Sequence, residues 1–226
     1  TCIGAINLAQ VGATQNGSLQ INTVGTNSIG GEPIPANVLT FVHGGTIILD
    51  GEVSNGGRTG GRLTLGSNNA TVAPAYVIQA NNTYTGNTTL SKGDYYIQSD
   101  TPFGLGQVNQ NPVANTFTVR LYNDSDTRQI NNVIQLQRAI AFAGEHSFTV
   151  NGYVHQSNTT ALINLLPEGK QLTFNGFISP VTTNDTARTL SFDGDGLMVV
   201  NGPIYNHRKP WAAGTLTDLG DEEFST

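Results

Sequence analysis

Residues 171–178 read Gln-Leu-Thr-Phe-Asn-Gly-Phe-Ile, and the recurrence of this pattern along the chain indicates the fold. The same pattern, an apolar run, Asn or Asp, Gly and a second apolar run, occurs at 46–53, 147–154 and 197–204. The side chain is apolar four residues before each glycine, two before it and two after it, so these positions lie on one face of a strand. Asn, Asp and Gly tolerate a positive φ, which predicts a sharp bend between two short strands.

The apolar positions define three columns. They are Ile47, Phe148, Leu172 and Met198 in the first, Leu49, Val150, Phe174 and Val200 in the second, and Val53, Val154, Ile178 and Ile204 in the third. Asn-Gly between apolar runs is also a strong hairpin signal. However, Gly152, Gly176 and Gly202 recur at intervals of 24 and 26 residues, and a solenoid rung requires such a period whereas a hairpin does not. We therefore predict an all-β parallel β-helix of roughly nine rungs, about 40 Å long, with the apolar columns stacked along its axis.

The chain divides into three predicted parts. Residues 1–45 alternate weakly and are expected to form an irregular N-terminal capping or docking segment, 46–206 the β-helix rungs, and 207–226 a C-terminal cap or linker tail. Pro210 and Trp211 follow the last repeat, so they begin either a cap, an intersubunit contact or a linker. Residues 132–143 combine helical spacing with β-branched side chains and fit a helix or a pair of strands.

A second motif lies at 82–97, Asn-Thr-Tyr-Thr-Gly-Asn-Thr-Thr-Leu-Ser-Lys-Gly-Asp-Tyr-Tyr-Ile, followed by Phe-Gly-Leu-Gly-Gln-Val at 103–108. It resembles the passenger-associated repeat of bacterial autotransporters, with Tyr95 and Phe103 where Leu is usual. The resemblance covers about one rung. It implies a right-handed parallel β-helix exported to the extracellular space or the cell surface of a Gram-negative bacterium, and it implies no particular chemistry.

Composition and charge exclude several classes of function. The formal net charge is -6 and no Lys/Arg run occurs, so the basic surface that nucleic-acid binding requires is missing. No apolar stretch approaches the ~20 residues of a membrane-spanning helix, and we expect no membrane span in this chain. Cys2 is the only cysteine, so no disulfide can form within the chain.

Candidate catalytic and metal-binding residues are few. Two acidic turns occur, Asp124 with Asp126 and Asp193 with Asp195, and the calcium-loop spacing from Asp193 ends on Ile204, which cannot coordinate the ion. The four histidines, His43, His146, His155 and His207, show no metal-binding spacing. We therefore predict no enzyme activity, no catalytic residues, no metal and no cofactor.

The expected function is that of a structural or adhesive surface protein, an adhesin or stalk. Its rung edges could also support end-to-end self-assembly into filaments. The expected partners are other copies of the chain or host and cell-surface glycans. The alternative is a carbohydrate-binding or polysaccharide-degrading β-helix protein. It predicts a line of exposed aromatic residues, and the first candidates are Tyr95, Tyr96, Tyr153 and Tyr205.

Overall fold

The structure is a computed structural model that describes residues 18–21, 28–29, 32–33, 38–41, 46–49, 51–53, 62–65, 75–110, 119–180 and 188–204. These residues form 21 β-strands and no helix. Strands are numbered along the chain, and all but two of them belong to three sheets.

The eight-stranded sheet contains β1 (Ser18–Ile21), β5 (Thr46–Leu49), β7 (Ala75–Ile78), β9 (Gly93–Ile97), β11 (Val119–Asn123), β14 (Ile140–Gly144), β17 (Thr160–Asn164) and β20 (Leu190–Asp193), in that spatial order. The seven-stranded sheet contains β4 (Val38–Phe41), β6 (Arg62–Leu65), β8 (Thr88–Leu90), β10 (Val108–Gln110), β13 (Ile134–Leu136), β16 (Val154–Gln156) and β19 (Ile178–Ser179). The four-stranded sheet contains β12 (Arg128–Ile130), β15 (Phe148–Val150), β18 (Gln171–Phe174) and β21 (Leu197–Val200). The remaining strands, β2 (Ser28–Ile29) and β3 (Glu32–Pro33), form an antiparallel pair.

The chain winds from sheet to sheet. It passes from β11 to β12 to β13 and then returns to the eight-stranded sheet at β14, beside β11, in parallel pairing. Each neighbouring strand pair of the three sheets is parallel, as in β12 with β15 and β13 with β16. The prediction of an all-β parallel β-helix is confirmed. Each strand of the eight-stranded sheet belongs to one level, so the described residues contain eight levels.

The third side of the helix changes along its length. From β12 onwards this side is the four-stranded sheet, whereas at earlier levels the chain crosses it without a strand, at 79–87 and 98–107. The autotransporter-like motif therefore supplies β8 and β9 from its centre, and its Leu-Gly-Gln end lies on the irregular side. Residues 132–143, which fitted a helix or two strands, contain β13 and most of β14.

The repeat at 46–53 is out of phase with the other three. Its strand β5 belongs to the eight-stranded sheet, whereas β15, β18 and β21 belong to the four-stranded sheet. The alignment of Gly51 with Gly152 was therefore wrong. The period-two pattern identifies which side chains point inward, and it is the same on every side of the helix.

Parallel pairing begins before the predicted start of the rungs. β1 pairs with β5 and β4 pairs with β6, so strands of both large sheets lie within residues 1–45. At the other end, the last described residue is Ile204, which bridges Ile178. The predicted cap or linker at 207–226, with Pro210 and Trp211, lies outside the described residues, as does Cys2.

Inward side chains stack in the predicted columns from β15 onwards. Phe148, Leu172 and Met198 occupy one column, because β15 pairs with β18 and β18 with β21 in this register. Phe148 and Leu172 have no exposed surface. Burying each such side chain stabilises the fold by about 1.5–3 kcal/mol, and each column repeats this contribution from rung to rung.

The glycines of the bends are required by close packing between rungs. Gly152, Gly176 and Gly202 do not have positive φ; a Cβ on Gly176 would collide with the carbonyl of Gly152, and one on Gly202 with the carbonyl of Gly176. The expected positive φ at these positions was therefore wrong. Successive rungs approach so closely at this corner that no side chain fits between them.

Candidate interaction surface

The acidic turns lie on the outside of the rod and far apart. Asp124 follows β11 and Asp193 ends β20, three rungs further along the eight-stranded sheet, which corresponds to about 14 Å. In each turn a carboxylate oxygen accepts a local hydrogen bond, from Thr127 N to Asp126 (2.7 Å) and from Gly194 N to Asp193 (2.7 Å). No group of three or more His, Cys, Asp or Glu side chains among the described residues is placed to hold a metal ion.

Two of the four histidines fall within the described residues. His146 precedes β15, and His155 lies on β16 beside the ring of Tyr153, with centroids 5.9 Å apart. Burial lowers the pKa of His155 from 6.5 to about 4, so its imidazole is neutral at physiological pH. His43 and His207 are outside the described residues.

The three proposed aromatic residues that the structure describes, Tyr95, Tyr96 and Tyr153, do not form an exposed line. Tyr95 is completely buried, and its hydroxyl donates to the carbonyl oxygen of Ser91 at 2.7 Å. Tyr153 is 9% exposed and stacks on Phe177 at a centroid distance of 4.6 Å. Tyr205 lies outside the described residues. Tyr96 is the one candidate that the structure places, half-buried, on the outer surface.

A patch that sequence reasoning missed surrounds Tyr96. Its ring stacks on that of Tyr122 in the next rung, with centroids 4.8 Å apart and planes 15° apart. Beside them, Arg120 donates two hydrogen bonds to Asp94, from Nε (2.7 Å) and from Nη2 (3.1 Å). We call these four residues the outer tyrosine patch. Burial, and then the nearby Asp94 carboxylate, raise the pKa of Tyr96 and of Tyr122, so both hydroxyls remain protonated donors.

The sequence feature that marks this patch is a pair of outward-facing residues, two positions apart, on each of two adjacent strands. Asp94 and Tyr96 on β9 are two residues apart, as are Arg120 and Tyr122 on β11, and the register aligns each with its partner. The pairing of β9 with β11 could not be read from the sequence, because the residues between them follow no repeat length.

Asparagine side chains form a ladder along the corner between the four-stranded and seven-stranded sheets. Asn151 donates from Nδ2 to Asn131 Oδ1 (2.8 Å), Asn175 to Asn151 (2.9 Å), and Asn201 to Asn175 (2.9 Å). We call these four residues the corner ladder. Each link joins two rungs, so the ladder holds the outer corners in register while the apolar columns do so inside.

The C-terminal end of the described rod is apolar. Phe192, Val200 and Ile204 occupy inward column positions of the last described rung and are 44%, 36% and 53% exposed. Their partners one rung earlier, Leu162, Phe174 and Ile178, have no exposed surface. We call Leu190, Phe192, Met198, Val200 and Ile204 the C-terminal end face.

A cleft opens beside this end face. Residues 165–170, between β17 and β18, form the longest of the connections between the eight-stranded and four-stranded sheets, and with 195–197 they line a cleft of about 710 Å³. Leu165 and Leu197 in this cleft are 50% and 59% exposed. Five of the six exposed large apolar side chains among the described residues therefore lie in the last two rungs, the sixth being Leu105.

These observations define the class of protein, an all-β parallel β-helix with polar outer corners and an apolar end. In comparisons with known proteins, no family model, no curated protein and no solved structure matches the chain. Among the described residues, no helix is long and apolar enough to span a membrane.

Proposed function

We propose that the protein is a structural or adhesive β-helical rod of the extracellular space or cell surface of a Gram-negative bacterium, and that it is not an enzyme. The observation that carries this proposal is the continuous stack of apolar columns, which run from rung to rung and reach an exposed end face. Such a stack gives stiffness along one axis without a metal or a disulfide. The autotransporter-like motif at 82–108 supports the location.

Self-association of the rod is part of this proposal, with a second copy of the chain as the partner. All strands of the eight-stranded sheet run in the same direction, and β20 is the last described strand at one edge. A strand of another copy could therefore pair with β20 in the same parallel orientation. Burying Phe192, Val200 and Ile204 against another copy would remove the largest group of exposed apolar side chains among the described residues.

Sedimentation velocity and electron microscopy over a range of concentrations test the self-association. The wild-type chain is expected to form end-to-end assemblies that Ile204→Lys abolishes, because the ammonium would be buried in the contact. Leu105→Lys is the matched control, since Leu105 is 65% exposed on another part of the rod and its substitution should leave assembly unchanged. Monodisperse wild-type monomers at high concentration would contradict the proposed self-association.

Labelling of intact cells with antibodies against the chain tests the proposed location at the cell surface.

Carbohydrate binding is the second candidate function, and the outer tyrosine patch favours it. Two adjacent aromatic rings beside an Arg–Asp pair offer apolar ring surface together with hydrogen-bond donors and acceptors. A glycan array with the wild-type chain, and with Tyr96→Ala combined with Tyr122→Ala, tests it. Gln98→Ala is the control, because Gln98 lies two residues after Tyr96 on the same side of the chain and accepts a hydrogen bond from Gln79. Polysaccharide degradation lacks such support, because the two acidic turns lie three rungs apart.

A further inference from the structure

The outer face of the eight-stranded sheet differs from that of the seven-stranded sheet. Its outward positions include a column that runs along the rod and consists of Ile48, Val77, Tyr96, Tyr122 and Ala143. The comparable column of the seven-stranded sheet is polar and consists of Thr64, Thr89, Asn109, Gln135 and His155. Apolar side chains collected on one outer face are typical of a contact surface.

A second outward column of the eight-stranded sheet runs beside the first. It consists of Ala75, Asp94, Arg120, Ala141 and Ile163. We call the two columns together the outer sheet face. The outer tyrosine patch lies at its centre, on β9 and β11.

The chemistry of the outer sheet face is symmetric about the gap between β9 and β11. In the first column Tyr96 and Tyr122 flank this gap, with aliphatic side chains beyond them on both sides. In the second column Asp94 and Arg120 flank the gap, with an alanine beyond each. Such a surface complements itself when it is turned by 180° about an axis along the strands.

We propose that two copies of the chain pair side by side and antiparallel through the outer sheet face. The twofold axis runs along the strands, between β9 and β11. It sets Asp94 opposite the partner's Arg120, and Tyr96 opposite the partner's Tyr122. This contact uses the side of the rod, so it is separate from the end-to-end contact at the C-terminal end face.

The charges of the outer sheet face favour the antiparallel arrangement. The side chains of Arg120 and Asp94 are 42% and 21% exposed, and their ion pair uses the guanidinium Nε and Nη2. The guanidinium has further N–H groups, which can donate to the partner's Asp94. Two acids and two arginines then alternate around the axis. A twofold axis along the rod would instead set Asp94 opposite the partner's Tyr96, where no cation offsets its burial.

The size of the outer sheet face suits a reversible dimer. Eight strands of roughly five residues cover about 38 Å by 16 Å, or about 600 Å² per copy. Pairing two copies would therefore bury about 1,200 Å² in total, the lower limit of standard protein interfaces. We expect a dimer that forms at micromolar or higher concentration.

Sedimentation equilibrium on the full-length Ile204→Lys variant tests this pairing apart from the end-to-end contact, which that substitution is expected to remove. The expected result is an equilibrium between monomer and dimer. Monomers at every concentration would overturn the proposal and leave the outer tyrosine patch to a glycan.

Charge reversal in the same background tests which residues face each other. Arg120→Asp and Asp94→Arg each set like charges opposite each other, and each is expected to weaken the dimer at least about tenfold. An equimolar mixture of the two variants sets acids opposite arginines and should restore the dimer. Arg188→Asp is the matched control, because it changes the net charge equally at an exposed position outside the outer sheet face. Both reversals break the ion pair within the chain, so a dimer that does not return in the mixture would overturn the proposal.

Cross-linking tests the antiparallel orientation. Val77→Cys and Ala143→Cys, each combined with Ile204→Lys and Cys2→Ser, are treated with a short bis-maleimide alone and as a mixture. Position 77 faces position 143 of the partner, whereas the two copies of position 77 lie three levels apart, about 14 Å along the rods. We expect cross-linked dimers in the mixture and few with either variant alone. Equal cross-linking of each variant alone would show parallel pairing and overturn the proposal.

Discussion

The imidazole of His155 couples the stability of the rod to pH. Burial lowers its pKa from 6.5 to about 4, so between these values the unfolded chain binds a proton that the folded chain does not. Stability therefore increases as pH rises from about 4 to 6.5 and decreases as pH falls through this range. The full pKa difference corresponds to about 3 kcal/mol in the free energy of unfolding. Because solvent that reaches the ring reduces this contribution, we expect about 2 kcal/mol.

Urea unfolding at pH 4.5 and at pH 7 measures this effect. His155→Gln, which cannot be protonated, is expected to have a smaller difference in unfolding free energy between the two pH values than the wild type. His146→Gln is the control for the loss of a histidine elsewhere. A His155→Gln variant with the same pH dependence as the wild type would contradict the assignment.

Glycine positions in the rod have two different causes, and a pair of substitutions separates them. A Cβ at Gly152 would collide with the carbonyl of Asn132, whereas Gly169 has a φ of 80° and nothing within 4 Å of the position of its Cβ. We expect Gly152→Ala to destabilise the fold by about 2 kcal/mol or more through the collision. Gly169→Ala should destabilise it by about 1 kcal/mol, through backbone strain alone. Thermal unfolding of the two variants checks the order, and equal losses would contradict it.

At the scale of strands and corners, the sequence predicts which side chains point inward better than it predicts the sheet to which each strand belongs. The columns through Phe148, Val150 and Val154 were predicted correctly from β15 onwards, because a period of two is a local property of a strand, whereas the members taken from the 46–53 repeat were wrong. The sheet to which β5 belongs could not be predicted, since it depends on the length of the irregular segments between strands. The outer tyrosine patch was missed for the same reason.

Buried asparagines at the corner between the eight-stranded and four-stranded sheets were also missed, since a lone Asn at a strand end is a common turn residue. Asn164 has no exposed surface; its Nδ2 donates to the carbonyl oxygen of Leu197 (2.7 Å), and its Oδ1 accepts from Leu166 N (3.1 Å). It thus joins the long 165–170 connection to β21.

Asn164→Ala removes both of these hydrogen bonds and leaves two backbone groups without the side chain that satisfies them. We expect it to lower the free energy of unfolding by about 2–3 kcal/mol, because unsatisfied buried groups carry a desolvation penalty. Asn158→Ala is the control, since among the described contacts the Asn158 side chain accepts a local bond from Thr159 N. Chemical unfolding compares them, and a loss at Asn164 no larger than that at Asn158 would contradict this role.

At the scale of the whole molecule, stability is the sum of contacts between neighbouring rungs, so it should not be uniform along the rod. β18 is paired on both sides, with β15 and with β21, whereas the described partner of β21 is β18 alone. Hydrogen exchange monitored by mass spectrometry is therefore expected to show faster exchange in β21 than in β15 or β18. Raising the protein concentration should slow exchange in β20 and β21 selectively if copies associate through the C-terminal end face, while the inner strands stay unchanged. Equal protection in β15 and β21 at low concentration would show that the rod opens as one cooperative unit rather than from this end.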